Sequence, residues 1–249
     1  MIVLTTLTKY SVGTITPFVK SLKRTEFTGR KIVLYYEPDI KVVEYLESND
    51  WEVYTYDKPQ YFITLQRFID ASTIIQKLKL ENETLCFTDI KDVFFAKSPS
   101  DIKTTFYIGV DAYQTFEYNL WNRETIVKGF PDFYSDVKDK LPLCAGVIIG
   151  NGKLLKRFFK DCYNLSLKSE YDNIIDWCPV DQAAVNILAY TKYNKYLQTP
   201  DQQDNLVLNM ANLDKSFDLL KTQYHIYHQY ERNKKHYKFV VNLNNKSYI

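Results

Sequence analysis

Residues 84–95 read TLCFTDIKDVFF and contain a short apolar strand that ends in two aspartates, Asp89 and Asp92. In open α/β sheets, ligands bind beyond the carboxyl ends of the strands. Two carboxylates at that position repel each other unless a cation lies between them, and Mg²⁺ or Mn²⁺ would take their oxygens as ligands. Capping of a turn is the alternative interpretation of an isolated D-x-x-D pattern. The stretch therefore predicts a strand end that carries either a turn or a metal site.

The chain before this stretch alternates between strand and helix patterns. Strands are predicted at residues 2–7, 31–36, 51–56 and 85–87. Helices are predicted from Thr16-Pro17 (an N-cap followed by a proline in the first turn), from Asp39 with Ile40, Val43 and Leu46 on one face, and over residues 61–78. A β-α-β-α-β-α-β order of this kind builds a sheet of parallel strands with helices on both faces.

The alternation continues after residue 95, with strands at 105–110 and 145–149 and with helices after Asn151-Gly152 and near Pro179. No internal repeat, linker or low-complexity tract marks a domain boundary. We therefore expect a single α/β domain over residues 1–249, with a mixed but mostly parallel central sheet. Residues 232–249, which are rich in Asn and Lys, are expected to form a peripheral strand or a loose tail.

The composition excludes several classes of protein. With 249 residues, 45% hydrophobic and 25% charged, the chain is not collagen, coiled coil or intrinsically disordered. The net charge of +2 is too small for a surface devoted to nucleic acid, and the basic stretch 232–238 has no basic face beside it, so no nucleic-acid partner is expected. No apolar run approaches the roughly 20 residues of a transmembrane helix.

The four cysteines indicate a reducing compartment. They are Cys86, Cys144, Cys162 and Cys178, which lie far apart in or beside apolar runs and form no C-x-x-C pair. We therefore expect reduced thiols and a cytoplasmic location.

Three further segments contain polar residues in positions typical of sites. Residues 143–150 (LCAGVIIG) form a strand with Gly146 where a ligand or another backbone could approach. Residues 176–186 (DWCPVDQAAVN) place Asp181 and Gln182 in the first turn of a helix, and residues 224–232 (YHIYHQYER) contain His228. Taken singly, each has a structural alternative: a packing glycine, a carboxylate favoured by the helix dipole, or a hydrogen-bonded structural histidine.

Together, the four segments resemble the glycosyltransferases of the GT-A fold. The resemblance is to a group with a strand ending in D-x-R-D-V, an N-A-G-V strand, a D-Q helix start and a C-terminal H-Q-Y-D-R. The corresponding segments here are Asp89-Ile90-Lys91-Asp92-Val93, Cys144-Ala145-Gly146-Val147, Asp181-Gln182 and His228-Gln229-Tyr230-Glu231-Arg232. Each motif is short, and their ordered occurrence over residues 1 to about 235 is the specific part of the resemblance. It implies a Rossmann-like GT-A fold.

The resemblance also implies a metal site. Asp89 and Asp92 would do the work of the D-x-D motif, in which the last carboxylate binds Mn²⁺ or Mg²⁺ between the two phosphates of a nucleotide-sugar, and His228 would be the third ligand. The chemistry is consistent with this assignment, because a bound cation stabilises the negative charge that grows on a departing nucleoside diphosphate.

The same resemblance implies roles for residues around the metal. Candidates for binding the nucleotide are Thr5, Thr6 and Tyr10 at the base or ribose, together with Arg67 and Asp89. Candidates for binding the acceptor or the transferred sugar are Cys144, Ala145, Gly146, Asp181 and Gln182. In an enzyme that inverts the anomeric centre, Asp181 would be the general base that activates an acceptor hydroxyl.

The chain departs from the family's pattern at three motif positions. Lys91 replaces the usual arginine, which keeps the charge but loses the planar fork, and Glu231 replaces aspartate. Cys144 replaces asparagine and removes an amide that would hydrogen-bond to donor or acceptor. The expected effect of the cysteine is on sugar specificity more than on the class of reaction.

The expected function is metal-dependent transfer of a sugar from a nucleotide-diphosphate sugar, with a UDP-sugar favoured, to a glycan or glycoconjugate acceptor. The alternative is a catalytically degenerate GT-A domain that binds a glycan or a protein partner. Residues 146–153 do not have the spacing of a Walker A loop, and no G-x-G-x-x-G motif is present. The donor sugar, the acceptor, the stereochemistry and the oligomeric state are not set by these motifs.

Overall fold

The alternation of strands and helices is present in the computed structural model of the chain, which describes residues 1–170, 180–198, 206–211, 213 and 224–245. Cys178, Pro179 and the last four residues of the C-terminal segment lie outside the described residues. The strands are β1 (Ile2–Thr8), β2 (Lys31–Tyr36), β3 (Glu52–Tyr56), β4 (Thr84–Thr88), β5 (Val93–Phe95), β6 (Phe106–Val110), β7 (Leu143–Asn151), β8 (Val207–Asn209) and β9 (Ile226–His228). The helices are α1 (Val12–Arg24), α2 (Ile40–Glu47), α3 (Ile63–Lys77), α4 (Leu120–Gly129), α5 (Tyr134–Val137), α6 (Gly152–Ser166), α7 (Val180–Tyr190) and α8 (Lys234–Asn245).

The main sheet has six strands in the order β3-β2-β1-β4-β7-β6. The pairs from β3 to β4 are parallel, whereas β7 is antiparallel to both β4 and β6. The sheet is therefore mixed, which corrects the expectation of a mostly parallel one. The physical reason is the connection after β6. The chain passes through α4 and α5 and does not return to the opposite end of the sheet, so β7 starts at the end where β6 finished and runs antiparallel to it.

A second, three-stranded sheet has the order β5-β9-β8. Its strands β5 and β9 are antiparallel, with Val93 opposite His228, and β8 runs parallel to β9. Because β5 begins one residue after Asp92, this small sheet brings the C-terminal motif to the end of β4.

Helices cover both faces of the main sheet, because successive side chains of its central strands point to opposite sides. On one face Leu4 belongs to a core cluster with Phe68 of α3 and Phe159 of α6. On the other face Val3 belongs to a cluster with Phe18 of α1. The central strands are thus buried on both faces, which leaves the ends of the strands accessible for a site.

Two expectations about the first helices are wrong. Helix α1 begins at Val12 with the hydroxyl of Ser11 as its N-cap, so Pro17 lies inside the helix and not in its first turn. Helix α2 buries Val42 and Leu46 and leaves Ile40 exposed.

Within the described residues, Lys234–Asn245 of the C-terminal segment form the helix α8, which corrects the expectation of a strand or a loose tail for this stretch. Val240 of this helix is buried in a core cluster with Phe94 and Tyr230, so α8 covers the small sheet.

Across the described part of the chain, none of the helices has the length and apolar character required to cross a membrane.

Candidate functional site

A cleft opens at the carboxyl edge of the main sheet, where β1 and β4 end and β7 begins, and it encloses about 230 Å³. This volume is below the roughly 300–1,000 Å³ of most small-molecule pockets, so the cleft can enclose part of a large ligand. Its lining includes all but one of the predicted site residues: Thr6, Tyr10, Arg67, Asp89, Asp92, Cys144, Ala145, Gly146, Asp181, Gln182 and His228. Residues far apart in sequence are thereby brought to one edge of the sheet, as expected for the strand ends of an α/β fold.

Asp89, Asp92 and His228 form a cluster of potential metal ligands at this edge. Their ligand atoms all lie within 4.8 Å of one another, and His228 Nε2 is 3.5 Å from both Asp89 Oδ2 and Asp92 Oδ1. Two ligands of one Mn²⁺ or Mg²⁺ at about 2.1 Å lie at most about 4.2 Å apart. The three groups are therefore spaced so that a small closure around one ion would let all of them bind it.

Backbone pairing explains why the three groups converge. The amide of Asp89 donates to the carbonyl oxygen of Gly146 (2.8 Å), and the amide of Gln229 donates to the carbonyl oxygen of Asp92 (2.9 Å). Gln229 has a φ of 56°, a left-handed conformation that turns the chain away directly after His228. The cluster is thus fixed by main-chain bonds from β4, β7 and β9.

Gly146 allows this approach because it has no side chain. A Cβ on this residue would lie 2.3 Å from Cε1 and 2.4 Å from Nε2 of His228, and 2.7 Å from Asp89 Oδ2. Atoms do not approach so closely without displacement of the neighbour. The glycine of the A-G-V motif therefore makes room for the imidazole and the carboxylate.

The donor set of the cluster fits a divalent cation. Two carboxylates and an imidazole are ligands that Mn²⁺ accepts. Nε2 of His228 is buried and, within the described residues, has no hydrogen-bond partner. Its nearest ionisable neighbours are the carboxylates of Asp89 and Asp92, each at 3.5 Å, and a cation between the three groups would give this buried nitrogen a direct partner.

Charged neighbours shift the pKa values of Asp89 and His228 in opposite directions. Burial would raise the pKa of Asp89, but Arg67 and His228 outweigh it and lower the pKa to about 2. Burial would likewise lower the pKa of His228, but Cys144 and the carboxylates of Asp92 and Asp89 raise it well above its ordinary value. Asp89 is therefore ionised at neutral pH, and the site favours positive charge beside it.

Arg67 of α3 links the cluster of Asp89, Asp92 and His228 to the opposite wall of the cleft. Its guanidinium is buried and pairs with the Asp89 carboxylate, and its Nη2 lies 3.2 Å from Asp181 Oδ2 and 3.3 Å from the carbonyl oxygen of Ala145. Buried charges are stable when they are paired and hydrogen-bonded in this way. Arg67 therefore fixes the relative positions of Asp89 and Asp181.

Asp181 lies in the first turn of α7, as expected from the sequence. Burial raises the pKa of this carboxyl to about 6, although the neighbouring Arg67 acts in the opposite direction. A carboxylate with a pKa close to neutral is suited to accept a proton.

A buried network of polar side chains, the amide network, supports the cleft, and of its members only Gln182 was among the predicted site residues. Asn122 donates to Asp111 Oδ2 (2.9 Å) and accepts from Gln182 Nε2 (2.8 Å). Gln182 Oε1 accepts from the amide of Ala145 (3.3 Å), and Asn209 donates to Asp111 Oδ1 (2.8 Å). The network holds the amide of Gln182 in one orientation at the wall of the cleft. The sequence feature that indicates this network is Asp111, a polar residue directly after the apolar strand β6.

The residues predicted for the nucleotide separate into two groups. Thr6 and Tyr10 line the cleft. Thr5 is fully buried and does not line it, and its hydroxyl donates to the carbonyl oxygen of Thr88 (2.8 Å). Thr5 therefore joins β1 to β4.

The departures from the motif pattern have identifiable contacts. Lys91 Nζ lies 3.5 Å from Glu231 Oε2, so the shorter cation is opposite the longer carboxylate. Cys144 Sγ lies 3.4 Å from Nδ1 of His228.

A second depression of about 570 Å³ adjoins the cleft and shares Thr8 and Ile63 with it. It is lined by residues after β1, β2 and β3, including Lys9, Glu37 and Lys58. The cleft and the depression together extend along the carboxyl edge of the sheet.

Comparison with known proteins gave no family: a scan against protein-family models found no match for this chain, and a search of curated proteins found none either.

Proposed function

We propose that the chain is a metal-dependent glycosyltransferase of the GT-A fold, which transfers a sugar from a nucleotide-diphosphate sugar to a carbohydrate acceptor. The observation that carries this proposal is the convergence of Asp89, Asp92 and His228 within 4.8 Å at the carboxyl edge of the sheet. The resemblance to GT-A glycosyltransferases implies the same three residues as the metal ligands. The buried Nε2 of His228, which lacks a hydrogen bond within the described residues, supports a ligand at this point.

The donor is proposed to lie along the carboxyl edge, with its diphosphate at the metal cluster. The cleft of about 230 Å³ suits the diphosphate and the sugar, and the adjoining depression of about 570 Å³ suits the nucleoside. Thr6 and Tyr10 lie in the cleft lining on the β1 side and are candidates for contact with the ribose. A UDP-sugar is the favoured donor, on the basis of the sequence resemblance.

The protein groups around the diphosphate are proposed to position it and to balance its charge. A bound Mn²⁺ or Mg²⁺ would supply positive charge that stabilises the leaving diphosphate. Arg67 holds Asp89 ionised, which keeps that carboxylate ready as a ligand. Lys91, which also lines the cleft, is a second cation within this region.

The opposite wall is proposed to receive the acceptor. Asp181 and Gln182 start α7 there, and Arg67 and the amide network restrict their orientation. If the transfer inverts the anomeric centre, the Asp181 carboxylate takes the proton from the acceptor hydroxyl as the new bond forms. Its pKa of about 6 leaves it ionised at neutral pH.

We also propose a cytoplasmic location. Cys86, Cys144 and Cys162 are buried free thiols, which is consistent with a reducing compartment.

The decisive experiment is thermal unfolding of the protein with a panel of nucleoside diphosphates, each with Mn²⁺ and each with a chelator. A ligand that binds only the folded state raises the melting temperature. We expect a rise with UDP and Mn²⁺ that the chelator abolishes, and no rise in an Asp92→Ala variant. Absence of a shift with every nucleotide at millimolar concentration would contradict the proposal. Chelator-sensitive binding without sugar transfer or donor hydrolysis would favour the degenerate binding domain.

A further inference from the structure

The thiol of Cys144 contacts the side of the His228 ring that faces away from the two aspartates. Sγ lies 3.4 Å from Nδ1, whereas Nε2 lies 3.5 Å from Asp89 and from Asp92. Cys144 is 3% exposed and His228 is 1% exposed, so bulk water has little access to this contact. The sulfur and the carboxylates therefore meet different nitrogens of one imidazole.

Cys144 is not a fourth member of the metal cluster. The ligand atoms that lie within 4.8 Å of one another come from Asp89, Asp92 and His228. A thiolate is also a soft ligand, and two carboxylates favour a harder ion. Because Cys144 contacts the candidate ligand His228 and is not itself a ligand, we expect it to act through the imidazole ring.

We propose that Cys144 is a positioning residue for the metal site, in which its sulfur accepts the Nδ1 hydrogen of His228 and so leaves the Nε2 lone pair directed at the cation. The inference rests on the proposed function, since it requires that the cluster holds a divalent cation. Metal-binding histidines usually donate the other ring N–H to an acceptor, and this bond fixes the tautomer and the ring orientation. Here sulfur takes the place of the oxygen acceptor that is usual.

The environment of the ring supports this assignment. Among the described residues, the Cys144 thiol is the hydrogen-bond partner of the His228 side chain, and Nε2 has none. If the thiol instead donated to Nδ1, the hydrogen would sit on Nε2 and block the lone pair from the cation. The exchange of asparagine for cysteine, which was expected to affect the sugar, would then act on the metal.

The test compares Mn²⁺ binding, measured by electron paramagnetic resonance, in the wild type and in three variants. Cys144→Ala removes the acceptor, and we expect affinity to fall about tenfold. Cys144→Ser restores an acceptor in the same place, and we expect affinity within about threefold of the wild type. Cys86→Ala removes another buried thiol, from the core, and should leave Mn²⁺ affinity unchanged. Urea unfolding of each variant shows whether it is folded.

A second readout reports the tautomer directly. In ¹⁵N-labelled protein with saturating Mg²⁺, we expect the His228 ring to carry its hydrogen on Nδ1, with the resonance assigned by its loss in His228→Gln. We expect Cys144→Ser to retain this tautomer and Cys144→Ala to lose it. This measurement does not depend on any sugar transfer.

Two results would overturn the inference alone: equal Mn²⁺ affinity in the wild type and a folded Cys144→Ala variant, or an Nε2-protonated ring in the Mg²⁺ complex. If Cys144→Ala does not fold, the comparison of Cys144→Ser with the wild type in the NMR experiment decides. A wild-type protein that binds no Mn²⁺ would overturn the metal site and the role of Cys144 together.

Discussion

Two polar clusters lie at the carboxyl edge of the sheet, and they differ in how fully their groups are paired. In the amide network, Asp111 accepts through both carboxylate oxygens, and Asn122 and Gln182 each use both their donor and their acceptor groups. In the metal cluster, two carboxylates lie beside an imidazole nitrogen that has no hydrogen bond within the described residues.

The difference indicates two purposes. A paired network stabilises the fold, because loss of any member leaves another buried group without a partner. A cluster whose polar groups are not fully hydrogen-bonded contributes less to stability, and these groups are available for a ligand. Substitutions in the network should therefore change stability, and substitutions in the cluster should change binding.

The largest effect is expected for Asp92→Ala. Loss of the metal should remove several kcal/mol of transition-state stabilisation, which corresponds to at least about a thousandfold in transfer rate. Mn²⁺ binding should be lost as well, while the urea midpoint stays close to that of the wild type. The exposed Asp101, in the turn after β5, provides the matched control Asp101→Ala, which should keep both properties. Retention of Mn²⁺ binding by Asp92→Ala would remove the basis for the comparison.

Asp181→Asn tests the opposite wall of the cleft. Burial raises the pKa of Asp181 to about 6, and a general base acts only when it is deprotonated. Wild-type transfer should therefore fall as pH decreases through about 6 and level off above it. The variant should be at least about a hundredfold slower and should lose this pH dependence. An unchanged pH profile in Asp181→Asn would assign the titration to another group.

Asn122→Ala tests the paired network. It leaves Gln182 Nε2 and Asp111 Oδ2 without this partner, and each unpaired buried group costs about 1–3 kcal/mol. We expect the free energy of unfolding to fall by about 3 kcal/mol in urea, with Mn²⁺ affinity preserved in the folded protein. Exposed Asn194 gives the control Asn194→Ala, which should change stability by less than about 0.5 kcal/mol. A loss of Mn²⁺ affinity greater than the loss of stability would show that the two clusters are coupled.

The smallest substitution, a glycine to alanine change that adds one methyl group, is expected to have opposite effects at Gly146 and Gly13. Gly146→Ala would press Cβ against His228 and Asp89, so we expect Mn²⁺ affinity to fall and stability to drop by about 1–2 kcal/mol. In Gly13→Ala the nearest atom is Ser11 Oγ at 3.8 Å, and the helix should gain up to about 1 kcal/mol. Calorimetry of both variants with and without Mn²⁺ checks this pair. Equal metal affinity in the two variants would contradict the role assigned to Gly146.

The sequence predicted the convergence of Asp89, Asp92 and His228 better than the sheet that holds them. The aspartates and the histidine lie in short motifs at strand ends, so both their chemistry and their place in the fold can be inferred from the sequence. The antiparallel direction of β7 was not predictable from its own residues, because a buried strand has the same apolar pattern in either direction.

The amide network was missed for a related reason. Asp111, Asn122 and Asn209 stand singly in different elements, and no spacing connects them before the chain folds. The start of α1 was misplaced because the cap at Ser11 competes with the Thr16-Pro17 signal, and tertiary packing decides between them. The resemblance to GT-A enzymes implied a nucleotide-binding role for Thr5 because it lies near the start of the chain, whereas its hydroxyl donates to the backbone of the neighbouring strand β4.

The pairing of Val93 with His228 has a consequence for biosynthesis. The two aspartates leave the ribosome more than a hundred residues before the histidine that completes their cluster. A nascent chain can thus form its four parallel strands, including the end of β4, before the three candidate metal ligands are all present. In the proposed function, cation capture would await translation of the C-terminal strand, and metal occupancy would be a late marker of a fully synthesised and correctly paired molecule.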